Sequence, residues 1–217
     1  MNFKEIEQFL LKNQKIVSGI VVGVIVIIVV AIGYFNYYMP KKNQEAQEML
    51  FQAQLYFQQD SFQQVVNGDG INSGAPKVAD EFARTATGNL ARYITGVSYL
   101  YMNDFDQAID FLKDYKEQDE VIGAMSHMAL GDAYMEKGRT DNSFYEKGLA
   151  EYKKAAEMTT NSFVAPKVLF KIARAYEYFD KKDKAVDYYK QILEEYPLSA
   201  EKSEAEKYAA KLEAQAV

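Results

Sequence analysis

The sequence predicts an all-α chain: a single N-terminal transmembrane helix, then an α-solenoid of about three to four helical hairpins and a C-terminal capping helix. Three observations predict it. The run from Ile16 to Gly33 (IVSGIVVGVIVIIVVAIG) carries no charge and one hydroxyl, and a bilayer core needs about 17–25 such residues at ~1.5 Å each. Small and aromatic residues then recur at fixed offsets through the rest of the chain, the mark of a repeated helical unit. The four prolines leave every long apolar-periodic stretch intact, so nothing breaks the helical reading.

Residues 1–15 form a short amphipathic segment, expected on the cytoplasmic side, with Phe3, Ile6, Phe9 and Leu10 on roughly one face. Such a face suits the membrane interface or a partner. The span proper is expected over 16–38. Lys12 and Lys15 precede it, and Tyr34, Phe35, Tyr37, Tyr38, Lys41 and Lys42 follow, placing amphipathic rings at headgroup depth. A cleaved signal peptide is the competing reading, because Ala31 and Gly33 make a small-x-small pair. A removable signal has about 7–15 apolar residues and no aromatic belt, which favours an uncleaved anchor. Lys4, Lys12 and Lys15 before the span against two lysines after it lean toward a cytoplasmic N terminus, but charge alone leaves topology open. Within the span Gly19 and Gly23 form a GxxxG pair, which lets a second transmembrane helix come close.

Beyond residue 42 the chain is acidic. The whole protein has 25 basic and 31 acidic residues, net −6; taking away five lysines and two glutamates in residues 1–42 leaves 20 against 29. That balance repels phosphate backbones and anionic lipid, so nucleic acid is excluded as a partner. With no cysteine, disulfides, thiolate metal sites and cysteine nucleophiles are excluded too.

In residues 90–120, Gly96, Tyr99, Phe105, Ala108 and Leu112 stand at offsets 0, 3, 9, 12 and 16. In residues 164–198, Ala173, Tyr176, Ala185, Tyr189 and Pro197 stand at 0, 3, 12, 16 and 24. A copy between them has Gly131 and Tyr134, then Tyr152 and Ala155 displaced by five residues, read as a longer loop around Arg139–Tyr145. A worn copy, Ala53, Tyr56, Phe62 and Val65, precedes all three. This pattern resembles the tetratricopeptide repeat, two antiparallel helices of about 34 residues. The small residue lets the helices approach, the tyrosine fills the gap one turn on, and the alanine receives the opposing helix. The repeat domain is assigned to 43–217. Residues 199–214 read as a capping helix started by Ser199.

Chemistry finds little footing. The Gly-rich stretch 67–76 (NGDGINSGAP) has neither the spacing of a dinucleotide fingerprint nor, after Asn67 and Asp69, the oxygen ligands of a calcium loop. It reads as a flexible connector. His127, the lone histidine, stands where the repeat wants a packing residue, and the acids nearest in sequence, Asp119, Glu120 and Asp132, give no histidine-rich metal set. No enzyme activity and no cofactor or metal are expected; an activity assembled from acids distant in sequence is the open alternative.

The full layout is similar to the YfgM-like tetratricopeptide proteins, most clearly over residues 45–62 (EAQEMLFQAQLYFQQDSF) and 88–109 (GNLARYITGVSYLYMNDFDQAI). In bacteria that family is an ancillary subunit of the SecYEG translocon, acting with the membrane-anchored periplasmic chaperone PpiD on newly exported proteins. The resemblance implies a single-pass inner-membrane protein with a cytoplasmic N terminus, periplasmic repeats, and SecYEG, a PpiD-like chaperone and exported polypeptides as partners. Its motifs are structural, so no residue-level mechanism transfers. An envelope-assembly adaptor for outer-membrane or cell-wall machinery is the alternative, suggested by the ending Tyr196-Pro197-Leu198-Ser199.

In such arrays the first helices line a concave groove. Outward positions at offsets −3, +1, +4 and +5 are Tyr93, Val97, Leu100 and Tyr101; Met128, Asp132, Met135 and Glu136; Phe170, Arg174, Glu177 and Tyr178. Tyrosine and methionine there suit peptides of varied sequence. Any one of them can instead pack against the next repeat.

Overall fold

The computed structural model describes residues 11–215, and every regular element among them is helical. Phe3, Ile6, Phe9 and Leu10 of the expected interfacial segment lie outside the described residues. Helix α1 (Gln14–Gly33) buries no side chain. A wide π-helical turn, Tyr34–Tyr38, carries it into α2 (Met39–Gln58). Together they make one uninterrupted rod from Gln14 to Gln58, long and apolar enough to cross a membrane. The wide turn has a local cause. Pro40 has no N–H to give to Asn36, and its ring would collide with that carbonyl; the looser turn, closed by Met39 N–H to the Tyr34 carbonyl, makes room.

Four helical hairpins follow the expected order: α2 with α3 (Phe62–Asn67), α5 (Ala86–Tyr101) with α6 (Phe105–Lys113), α7 (Glu120–Gly138) with α8 (Ser143–Met158), and α9 (Ala165–Tyr178) with α10 (Lys182–Glu195). A short helix, α4 (Ala75–Glu81), is inserted after the first pair, and α11 (Lys202–Gln215) ends the array. The offsets acquire their meaning here. A Cβ on Gly96 would lie 2.6 Å from Leu112 Cγ, and one on Gly131 would lie 2.4 Å from the Tyr152 ring. Both glycines are small because the partner helix sits on them.

Three sequence expectations change. The five extra residues of the middle hairpin do not form a longer loop: α7 runs two residues further than its counterparts, the connection gains one, and α8 starts two earlier relative to its packing position. In consequence the residue receiving the opposing helix is Gly148, whose carbonyl faces Gly131, while Ala155 is buried two turns further along. The stretch 67–76 is not a loose connector. Asp69 accepts from the N–H groups of Ile71 (2.8 Å) and Asn72 (2.6 Å), from the Asn72 amide and from Tyr56 Oη (3.0 Å), and these bonds hold its carboxyl well below the usual range. Ser199, finally, does not cap α11; its hydroxyl is buried without a hydrogen bond.

The core divides into two clusters meeting on α7. Ala129, Leu130 and Ala133 join the cluster of α2–α6, and Ala124 joins that of α8–α11. The second centres on Ile172, Tyr189 and Ile192, all fully buried, the two isoleucines each worth about 1.5–3 kcal/mol of transfer free energy. Ala205, Ala209 and Leu212 of α11 close its open end.

Candidate functional site

A depression of about 840 Å³ on the repeats is lined by α5, α7, α8 and α9, by the first residue of α6 and by the turns after α5 and α7. Of the positions expected on the groove, Tyr101, Asp132, Met135, Phe170, Arg174 and Tyr178 line it, with Leu100 and Glu136. Tyr93 and Val97 do not. Both are buried in the N-terminal core, and burial pushes the Tyr93 phenol up to about 12. Met128 also turns away, onto the C-terminal core. For Tyr93 and Val97 the cause is geometric: α5 packs against α4 as well as against α6, so positions that face outward in a bare hairpin are enclosed.

Phe105 and Tyr145 complete the wall. They hold equivalent places at the start of a second helix, offset 9 once the five extra residues are removed, as does Phe62. Two of these rings meet a tyrosine of the next repeat. Phe62 stacks on Tyr101 with centroids 4.6 Å apart and planes at 3°, and Tyr145 meets Tyr178 at 4.1 Å. An aromatic at offset 9 paired with tyrosine at offset 5 of the following repeat was a readable signal. It stayed hidden because the two residues belong to different hairpins.

Across the floor runs a polar chain. Asp132 Oδ1 accepts from Tyr152 Oη (2.6 Å) and from Lys171 Nζ (2.8 Å), tying α7, α8 and α9 together. Burial and then the Asp132 charge push the Tyr152 phenol far above its ordinary value, so it stays a donor. Arg174 lies 3.4 Å from Glu177 and over the Tyr208 ring at 4.7 Å, and Arg139 pairs with Glu136 at 3.1 Å. Aromatic and thioether surface with paired charges can hold a peptide by contact area and hydrogen bonds.

His127 is outside the groove, with partners that its sequence neighbours did not suggest. Nδ1 lies 2.6 Å from Glu151 and Nε2 2.8 Å from Glu117. The hydrogen bond to Glu151, chiefly, and that to Glu117 raise its pKa against burial. Asp119 and Glu120 are occupied elsewhere, capping α7 at Ile122 N–H and binding Thr159 Oγ1. Among the described residues no group of three or more His, Asp or Glu is set to hold a metal ion. Gly19 and Gly23 lie on the open surface of α1, with nothing within 4 Å of a Cβ at either.

Residues 90–119 and 167–199 match the tetratricopeptide repeat family. These are the hairpins α5–α6 and α9–α10. The middle hairpin, with its lengthened helices, and the first, followed by α4, fall outside the matched residues. Comparison with curated proteins gives no match. Tetratricopeptide arrays bind protein partners on their stacked surfaces.

Proposed function

We propose that the chain is a non-enzymatic membrane-anchored adaptor whose tetratricopeptide groove holds polypeptide segments close to the bilayer. In this reading α1 crosses the bacterial inner membrane, the N terminus is cytoplasmic and the repeats are periplasmic. The resemblance of the whole layout to the YfgM-like proteins supports SecYEG as its neighbour, and a PpiD-like chaperone or newly exported chains as occupants of the groove. One observation carries the reading: the rod from Gln14 to Gln58 is at once the apolar helix and the first helix of the repeat array. Tethering by a stiff helix fixes the groove's height above the bilayer and turns encounter into a local-concentration effect. Gly19 and Gly23 are the proposed contact with a second transmembrane helix.

The test targets three residues that line the groove. Tyr101 and Tyr178 are 65% and 57% exposed, and Met135, half-buried against the C-terminal core, lies on the same wall. Replacing all three by Ser is expected to abolish crosslinks from the groove to translocon and chaperone while helical circular dichroism persists. Unchanged crosslinking sinks the groove. Recovery of outer-membrane or cell-wall enzymes in place of the translocon would establish the envelope-adaptor alternative, and repeats resistant to proteolysis of intact spheroplasts would overturn the periplasmic placement.

A further inference from the structure

A second cavity, about 600 Å³, lies where the rod leaves its apolar stretch. Tyr34, Tyr38, Met39 and Lys42 form one wall, and the corner between α4 and α5, residues 80–85, forms the other. Tyr34 directly follows Gly33, the last residue of the apolar run. A headgroup layer is about 5–8 Å deep on each side of the hydrocarbon, so a corner that shares a cavity with Tyr34 stands in that layer when α1 spans the bilayer.

The corner is firmly built. Thr85 N–H and Thr85 Oγ1 both donate to the Phe82 carbonyl at 2.9 Å, and Gly88 N–H donates to Thr85 Oγ1 at 2.9 Å. Arg92 reaches the Ala83 carbonyl at 3.3 Å. A Cβ on Gly88 would lie 2.0 Å from the Phe82 carbonyl oxygen, so only glycine lets the corner sit on α5. Asn43 then fastens it to the rod by accepting from Thr87 N–H at 2.9 Å, and Lys42 lies 5.7 Å over the Phe82 ring.

The lining carries both signs of charge: Lys42 and Arg84 against Asp80 and Glu81, with the Tyr34 and Tyr38 rings on the membrane side. We propose that this cavity binds the headgroup of a zwitterionic amino-phospholipid, phosphoethanolamine on diacylglycerol. Arg84 takes the phosphate, guanidinium being suited to two parallel hydrogen bonds, and Lys42, which already pairs with Glu45 at 2.6 Å, adds the second positive charge. Asp80 and Glu81 take the ammonium, and the tyrosine rings cover the glycerol. The two carboxylates and the acidic repeat domain disfavour a headgroup of net negative charge.

The proposal rests on α1 spanning the membrane, and two tryptophan reporters separate the two claims in a chain that has no tryptophan of its own. In vesicles of phosphatidylethanolamine and phosphatidylglycerol, Val24→Trp should be quenched by acyl-chain-brominated lipid and Ala83→Trp by headgroup-spin-labelled lipid. Quenching of the first without the second removes the lipid site and leaves the span; failure of the first removes both. The full chain extracted from an equimolar mixture should retain phosphatidylethanolamine over phosphatidylglycerol in native mass spectrometry. Arg84→Gln should lower that retention about ten-fold, the scale of one hydrogen bond to a charged group, and Arg84→Lys should restore part of it. Equal retention of the two lipids, or no effect of Arg84→Gln, overturns the proposal.

Discussion

Gly131 and the ring of Tyr152 occupy a space with no room for a methyl group, since a Cβ there would come within 2.4 Å of two ring carbons. The ring cannot retreat, because it is buried and its hydroxyl is held by Asp132. Overpacking costs about 1–3 kcal/mol, against about 0.5–1 kcal/mol gained by alanine in a helix. Gly131→Ala should therefore destabilise the protein by about 1 kcal/mol, measured as a lowered urea midpoint. His127 gives a prediction of opposite origin. Its folded pKa is raised by Glu151 and Glu117, so its stabilisation is complete below the unfolded value, about 6.5, and is lost as pH climbs through the folded value. Glu151, lowered because its bonds from His127 and Lys154 outweigh burial, contributes above its unfolded value and loses that contribution in acid. The thermal midpoint should fall as pH rises above about 6.5, and His127→Gln should flatten that fall. Local sequence could not show this clamp, because Glu151 comes alongside His127 only when α8 folds back on α7.

At the scale of the element, three first helices end alike. Asp60, Asn103 and Asp180 all stand at offset 7 with φ of 54°, 61° and 53°. In each case the next N–H reaches back to the carbonyl of the offset-3 tyrosine: Ser61 to Tyr56, Asp104 to Tyr99 and Lys181 to Tyr176, all at 2.9 Å. This is a Schellman closure with Asp or Asn in the left-handed position. It brings the worn first repeat into register with the others more firmly than its packing residues do. A β-branched residue in that conformation costs about 1–2 kcal/mol. Asp180→Val should show that loss in thermal melts, while Asp180→Gly should show none of it, the exposed contact to Lys182 at 4.0 Å being worth little. The middle hairpin lacks this stop: Gly138 stands at offset 7 and α7 runs through it, which is where the first of its extra residues are absorbed.

For the whole molecule, stability follows from neighbour-to-neighbour stacking, with α7 shared between two cores. Ile172→Ala in the C-terminal core should cost about 2–5 kcal/mol. Hydrogen exchange should then show protection falling across α9–α11 and persisting in α5–α6; uniform loss would mean that the array opens as one unit. The apolar run, the helical class, the hairpin order and the capping helix were legible because each depends on periodicity within some forty residues. The groove was legible in part. Tyr101, Asp132, Met135, Phe170, Arg174 and Tyr178 face it as their offsets require, whereas Tyr93, Val97 and Met128 are claimed by packing, and Phe105 and Tyr145 arrive from second helices. Sequence by itself determined the helical class and which helices pair, since a 3.6-residue period and a short turn decide both, but α4 and the bounds of α7 and α8 came only with the structure. Only the tertiary structure decided what meets between hairpins, the two carboxylates on His127 and the corner beside Tyr34, because stacking angles depend on the side-chain volumes of residues distant along the chain.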